Sequence, residues 1–483
     1  MALTFGTIWQ RLAALESLPP GHRKALWASV ELAIRDAWQT DRFGYAPHWA
    51  KLLCRLFKLF KPETGESFNT QERQLSRVLL PYAGLCAGCP APPSLLAALP
   101  QTGQTICWNQ YGQLIACAGT GHDGDIQAGL PRSFTNNRDG TISDNATRLM
   151  WEVECTGARC GYLHDKDTKY TWASAVSQHM ASLNTSRFAG YSDWRVPNLL
   201  ELLTLWNLSK AAGSVNDSPT FDAFNSCKSN CGVTECSCTS TYSYQNGGFY
   251  WASTAQPNTK MAFILAFYQG GTWPVPTGDQ LNVRAVRGSR AVAPGLPQTG
   301  QISCWDANGA LTSCSGTGED GDSKAGVPRS FTNNHDGTIT DGATSLMWEI
   351  KCTGNACGVL HDKDTTYSWS DAFSQHITQL NDSRFAGYND WRLPNLFELL
   401  TLWDLNKAAG TGAPPAFDDF DNACQASCGN RECSCSTSGS TWSSTSVPGS
   451  SCQFALNFHD NIVNNACSGT NAVRAVRGGT VKH

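Results

Sequence analysis

One 20-residue stretch occurs twice in this chain, and nothing else in the sequence restricts the fold as much. Arg187 to Trp206 recurs as Arg384 to Trp403 with three changes, Ser192/Asn389, Val196/Leu393 and Leu200/Phe397. In both, Trp-Arg-x-Pro-Asn leads into an apolar run. Asn198 stands three residues before Glu201, and Asn395 three before Glu398. That is capping-box spacing: a side-chain oxygen takes the N–H three residues on, and a carboxylate reaches back. Pro197 and Pro394 hold the residue before them extended. The stretch therefore predicts strand, sharp turn and capped helix. Trp194, Arg195, Asn198 and Glu201, with Trp391, Arg392, Asn395 and Glu398, are expected to build the fold, since they offer no reactive pair.

The duplication is larger than this stretch. Leu99-Pro-Gln-Thr-Gly-Gln104 matches Leu296 to Gln301 at an offset of 197, which holds without a gap to Cys238/Cys435, over 140 residues. The second copy is then shorter, and the two realign at Val283 to Gly288 and Val473 to Gly478. A period this long is a duplicated domain, not a solenoid. Four segments follow: 1–98, a helical N-terminal region and linker; 99–288, the first copy; 289–295, a join short enough to keep the copies close; and 296–479, the second copy.

Within each copy the pattern is α+β. Cys107 and Cys117 bracket a hairpin turning near Tyr111-Gly112. Asn137 to Asp144 reads as a turn with a short strand, and Leu149 to Glu152 as a strand. Trp172, Val176, His179 and Leu183 fall on one face of a helix. Tyr250 to Thr254, Ala262 to Phe267 and Val283 to Val286 are the remaining strands.

Charge and cysteine narrow the function. The net charge is −4, with residues 1–98 at +4 and the rest at −8, so nothing points to nucleic acid. No run is apolar enough to span a bilayer. His48 to Lys61 is basic and amphipathic, and packing against neighbouring helices is favoured over membrane-surface contact. The 21 cysteines suggest an oxidising compartment or metal. Residues 1–30 carry Arg11, Glu16, Arg23 and Lys24 and lack the apolar core of a signal peptide, while Val78 to Cys89 only loosely resembles one. Every cysteine of the first copy has a partner position in the second. Local pairing is expected for Cys107–Cys117, Cys155–Cys160, Cys304–Cys314 and Cys352–Cys357. Cys452 and Cys467 are additions of the second copy, absent together from the first, and should bond to each other. Cys227, Cys231, Cys236 and Cys238, with Cys424, Cys428, Cys433 and Cys435, favour two disulfides per cluster over zinc, with the pairing left open. Each bridge restricts the unfolded chain by about 3 kcal/mol.

Other motifs carry less. Asp139, Asp144, Asp336 and Asp341 lie in Asp-Gly loops where calcium could sit, as do His122 to Asp125 and Glu319 to Asp322. Neither loop type has a full EF-hand register, and hairpin turns are the favoured reading. His164-Asp-Lys-Asp167 and its copy at His361 read as solvated loops, and His179 and His376 as packing residues. Arg284 and Arg287, with Arg474 and Arg477, are placed to pair with Glu201 or Asp193 and their counterparts.

Taken in order, Asp-Gly-Thr-Ile-x-Asp, Leu-Met-Trp-Glu, the Ala-Gly-Tyr-x-Asp-Trp-Arg-x-Pro-Asn-x-x-Glu-Leu stretch, Trp-(Ala/Ser)-Ser-Thr and Val-Arg-Ala-Val-Arg-Gly resemble the Lcl C-terminal domain family, twice over. The family takes its name from the terminal domain of a bacterial collagen-like adhesin. The resemblance implies two tandem C-type-lectin-like domains, disulfide-rich, often exported, with variable loops on a mixed sheet. No collagen-like tract is present, and the repeats are acidic, which sets this chain apart from a polyanion binder. The expected function is a non-enzymatic extracellular or cell-surface binding protein for a glycan or protein. Tyr242, Tyr244, Phe249, His459 and Asn461 are the candidate contacts, with no catalytic residue and no required cofactor. The alternatives are a thiol enzyme like the formylglycine-generating relatives, or an intracellular variable binder.

Overall fold

Short antiparallel strands with capped turns build each copy. The structure, a computed structural model, describes residues 99–479 apart from 157–160, 211–218, 225–236, 238, 240–247, 268–270, 289–294, 307, 354–357, 409–415, 418–435, 438 and 459–461. The expected helices of residues 1–62, the 48–61 segment, the Val78 to Cys89 stretch and both four-cysteine clusters lie outside the described residues.

In the first copy, β1 (Cys107–Trp108) and β2 (Leu114–Ile115) form a ribbon bridged by Cys107–Cys117. Then come α1 (Asp123–Ile126), β3 (Phe134–Asn136), β4 (Thr141–Asp144) and β5 (Leu149–Glu152). Helix α2 is an α turn (Trp172–Ser174), a π stretch (Ala175–Met180) and a second α turn (Ala181–Thr185). Helix α3 (Leu199–Leu203), β6 (Phe249–Ala255), β7 (Met261–Ala266), β8 (Gly271–Pro276) and β9 (Val286–Gly288) complete it. One antiparallel sheet has the order β3-β4-β5-β9 and another β6-β7-β8.

The second copy repeats this with β10 (Cys304–Trp305), β11 (Leu311–Thr312), α4 (Asp320–Ser323), β12 (Phe331–Asn333), β13 (Thr338–Asp341) and β14 (Met347–Glu349). It continues with β15 (Thr366–Tyr367) and α5, again α–π–α (Trp369–Asp371, Ala372–Ile377, Thr378–Asp382). After α6 (Leu396–Leu400) come β16 (Ser440–Ser446), β17 (Gln453–Asn457), β18 (Ile462–Ala466), β19 (Asn471–Ala472) and β20 (Val476–Arg477). Its sheets run β12-β13-β14-β20 and β15-β19-β16-β17-β18.

Local chemistry explains the elements. The β3–β4 hairpin turns where Asp139 accepts the Thr141 N–H (3.0 Å), and Gly140 sits at φ +89°, where a Cβ would meet the Phe188 ring at 2.9 Å. Helix α3 has both halves of its capping box: Asn198 accepts the Glu201 N–H and Glu201 accepts the Asn198 N–H, each at 2.9 Å. Arg195 grips the same carboxylate with two bonds, 2.5 and 2.6 Å. Asn395, Glu398 and Arg392 repeat all of this.

The copies pack as one compact unit, Leu96 to His483. Apolar side chains of α3 and α6, Trp206 and Trp403, and strands β7 and β17 form a single core. Trp206 meets Phe454 edge-on at 5.2 Å, and Phe263 meets Trp403 at 5.5 Å. The polar contacts are reciprocal too. Asn198 donates to the Ala325 carbonyl (3.1 Å), and Asn395 to that of Ala128 (3.2 Å). Gln301 and Gln104 bond Ala255 and Ser446 of the opposite copy's sheet. Such reciprocity is the mark of a two-fold relation. The leading segment of each copy thus lies against the other copy's sheet.

Three expectations about the elements themselves need correcting. His122 to Asp125 and Glu319 to Asp322 are not hairpin turns but the start of short helices, whose first aspartates are buried. Asp123 accepts bonds from Thr102 and Thr445, and Asp320 from Thr299 and Thr254. The last strand begins at Val286, because Ala285 is diverted to give its N–H to Glu152 (3.1 Å). The buried face of α2 is Ala175, His179, Met180 and Leu183, leaving Val176 half-buried; a π turn spaces its residues more widely than the 3.6 period assumes.

Candidate ligand-binding cleft

The sequence-derived candidates scatter. Tyr242, Tyr244, His459 and Asn461 lie outside the described residues. Phe249, expected in an exposed loop, instead opens β6 and is buried edge-on against Trp273 at 5.6 Å. Asp139 and Asp336 spend an oxygen on the Thr141 and Thr338 N–H and hydroxyl groups. Asp144 and Asp341 bond the turn N–H groups that follow them and lie near Arg132 and Arg329. Among the described residues no group of three or more His, Cys, Asp or Glu is arranged to hold a metal ion. Cys304–Cys314 and Cys452–Cys467 are bonded, the latter joining the ends of β17 and β18. Cys155 and Cys352 are bonded as well, and no described cysteine is free.

The histidines do more than the sequence suggested. His164 is not a free loop residue: its Nδ1 meets Glu152 at 2.7 Å, and His179 Nε2 meets the other oxygen at 2.9 Å. Burial pushes Glu152 up, but His179 and His164 outweigh it and hold the carboxyl below its usual range. Glu349 is held by His361 and His376 in the same way, and also by Lys351 (2.9 Å). Arg284 pairs with Glu154 at 2.7 Å and not with Glu201, while Arg287 does reach Asp193 (2.7 Å). Glu152 and Glu349 are fully buried, and these networks hold the sheets to α2 and α5.

A cleft of about 450 Å³ lies on the first copy beside Asp193 and Arg287, and another lies between the copies. The N-terminal turn of α2 faces the β10–α4 segment of the second copy across a cleft of about 470 Å³. Trp172, Val176 and Val196 form the wall from the first copy. Trp305, Gly318 and Glu319 form the wall from the second. The Trp172 N–H is tied to the Ala252 carbonyl (2.7 Å), which fixes the ring, and the residue is half-buried. Glu319 is only 6% exposed and accepts the Trp305 N–H at 3.2 Å. Burial raises its carboxyl to about 7.

The two-fold mate of this cleft is filled. Trp369 is anchored identically, to the Ser443 carbonyl at 2.8 Å. Here His122 replaces Glu319 and Phe373 replaces Val176. The imidazole of His122 lies 4.4 Å from the Trp369 ring and 5.1 Å from that of Phe373, and Trp369 is only 6% exposed. Burial lowers His122 to about 4, and its Nδ1 is buried with no hydrogen-bond partner. One frame thus carries an open and a plugged version of the same cleft.

The family model described as the Lcl C-terminal domain matches residues 140–287 and 337–477. The chain belongs to that family. Both Lcl C-terminal domains are present in tandem, and each match spans its copy's Glu-His network, capped helix and final strand. The leading segments 99–139 and 296–336, which supply His122 and Glu319 to the clefts, precede the matched residues. No curated protein and no solved structure matches the chain. Cleft residues Trp172, Val176, His122 and Glu319 escaped the sequence reading as ligand contacts. The available signal was the exchange of Val176 for Phe373 and of His122 for Glu319 between near-identical copies.

Proposed function

We propose that this chain is a non-enzymatic binding protein acting outside the cell or at its surface. Its two Lcl C-terminal domains, folded in the C-type-lectin-like manner, recognise a glycan or protein ligand. The observation that carries this reading is the open cleft between the copies. It combines a fixed, half-buried indole with a buried carboxylate, and among its described lining residues there is no Cys or His to pair with a nucleophile. The bonded state of every described cysteine supports an oxidising compartment. No helix among the described residues is long and apolar enough to cross a membrane. The loops after Cys238 and Cys435, with Tyr242, Tyr244, His459 and Asn461, are proposed as further contacts.

The test is a glycan and protein array probed with the purified, oxidised full-length chain and with a Val176→Phe/Glu319→His variant, which recreates the plugged cleft. The wild type should give discrete signals that the variant loses. Silence across the arrays, together with several reactive thiols under non-reducing titration, would overturn the binding reading in favour of a thiol enzyme.

A further inference from the structure

The plugged cleft shows what the open one lacks. Around Trp369 the chain supplies its own occupants, a nitrogen heterocycle from His122 and a phenyl ring from Phe373. Around Trp172 both are missing, yet the indole is held by the same backbone bond. The exchange is more than a loss of bulk. Where the plugged cleft has a neutral imidazole, the open one has Glu319, a carboxylate that is 6% exposed. Asp306 also lines the cleft, and no described lining residue is Lys, Arg or His. Lys260 acts on Asp306, and Arg195 acts on Asp320 beside Glu319. Asp322 lies close enough to Glu319 to oppose its ionisation. A buried carboxylate with an acidic neighbour and no basic partner in its cleft lacks a counter-charge. An aromatic face beside it attracts the same sign of ligand, because the ring quadrupole is negative over its face.

We propose that the open cleft is a binding site for an organic cation, a ring-sized body bearing an ammonium group, stacked on Trp172 with its charge against Glu319. The ring takes the space that His122 and Phe373 fill in the other copy. The ammonium supplies the charge that the cleft lacks. The leading segment of one copy and α2 of the other are both needed, so each chain holds one such site and neither copy makes it alone. This rests on the reading of the cleft as a binding site and adds the chemistry of its occupant.

The test uses the full oxidised chain and benzyltrimethylammonium as probe, with benzyl alcohol and phenylacetate as neutral and anionic controls of similar size. Titration calorimetry and tryptophan fluorescence report affinity and stoichiometry. The cation should bind at one site per chain and at least tenfold more tightly than either control. Glu319→Gln, which keeps the shape, should weaken it about tenfold or more and leave the controls unchanged. Val176→Phe/Glu319→His should abolish binding. His122→Glu/Phe373→Val, which writes the open cleft into the other copy, should raise the stoichiometry from one to two. Melting curves confirm that each variant is folded, and Glu319→Gln alone decides the charge question if a double variant is not. Equal affinity for all three probes, or indifference to Glu319→Gln, overturns the cation assignment. A neutral glycan that competes at the cleft and ignores Glu319→Gln also overturns it, while leaving the binding reading standing. Failure of every probe together with silent arrays removes both.

Discussion

The two clefts differ at few positions and behave as opposites. Each has a tryptophan at the start of an α–π–α helix, pinned through its N–H to a strand carbonyl of its own copy and faced by the other copy's leading segment. In one, His122 and Phe373 close over the ring; in the other, Glu319 and Val176 leave about 470 Å³. Duplication normally yields two equal sites. Here one site has become part of the packing and the other has kept its space. The plugged cleft contributes to stability, and the open one is free to contribute to binding. Similar divergence occurs in the buried networks, where Glu154 of the first copy is replaced by Lys351 in the second.

That second divergence gives the largest expected effect. Glu152 faces two imidazoles, while Glu349 also compensates a buried ammonium, Lys351. Removing one partner of a buried ion pair costs about 3–5 kcal/mol, since the remaining charge stays desolvated. Glu349→Gln should therefore lower stability by that amount in urea titration. Glu152→Gln, which breaks hydrogen bonds but strands no fixed cation, should cost about 1–3 kcal/mol. Equal losses would mean that the networks are equivalent and that Lys351 is neutral in the fold.

Acidity separates the clefts with opposite signs. His122 is lowered from 6.5 to about 4, so the unfolded chain binds the proton more readily. Its contribution to stability is present above pH 6.5 and is lost as pH falls toward 4. Glu319 is raised from 4.5 to about 7, so its folded form favours the proton. That contribution is full below pH 4.5 and is lost as pH rises through 7. The charged neighbours are Asp125 for His122 and Asp322 for Glu319, and the paired aspartates Asp123 and Asp320, each raised to about 6, act alike in both copies. Melting His122→Gln and Glu319→Gln against wild type from pH 5 to 8 should give differences of opposite slope, each on the order of 1–2 kcal/mol across the range. Parallel slopes would show that the two positions sit in equivalent surroundings.

Much of the scaffold was legible because it is governed by local rules. The Asn198–Glu201 capping box, the hairpin at Asp139-Gly140 and the β6 and β7 strands follow from spacing and turn chemistry alone. The clefts were not legible for two reasons. They are assembled from segments that are far apart in sequence, since Val176 and Glu319 meet only through the packing of one copy on the other. The π stretch in α2 also breaks the helical period, so Val176 looked like a core residue. The Glu152 network was hidden similarly: His164 and His179 reach one carboxylate from a loop and a helix, and no linear pattern joins them. The alignment of the copies slips after Cys238. The informative changes lay within the gap-free part, as single exchanges at cleft positions.

The smallest effect is also the most specific to the pair of clefts. Phe373 is half-buried and holds Trp369 edge-on at 5.1 Å, while Val176 packs against Gly318, where a Cβ would come within 2.7 Å of Val176 Cγ1. Phe373→Val should cost about 1 kcal/mol, less than a fully buried truncation, because the ring is only partly covered. Val176→Phe adds a ring to a cleft that has room for it, provided the side chain turns away from Gly318, and should change stability by less than about 1 kcal/mol in either direction. If packing alone distinguished the clefts, exchanging the two residues together would leave stability where it began. The frame predicts otherwise, because His122 would lose its second ring while Glu319 would gain an apolar neighbour that further desolvates it. The exchanged chain should thus melt below wild type, by about the sum of the two single changes, since the two clefts share no partner. An exchanged chain as stable as wild type would show that each aromatic position acts independently of the His122/Glu319 difference beside it.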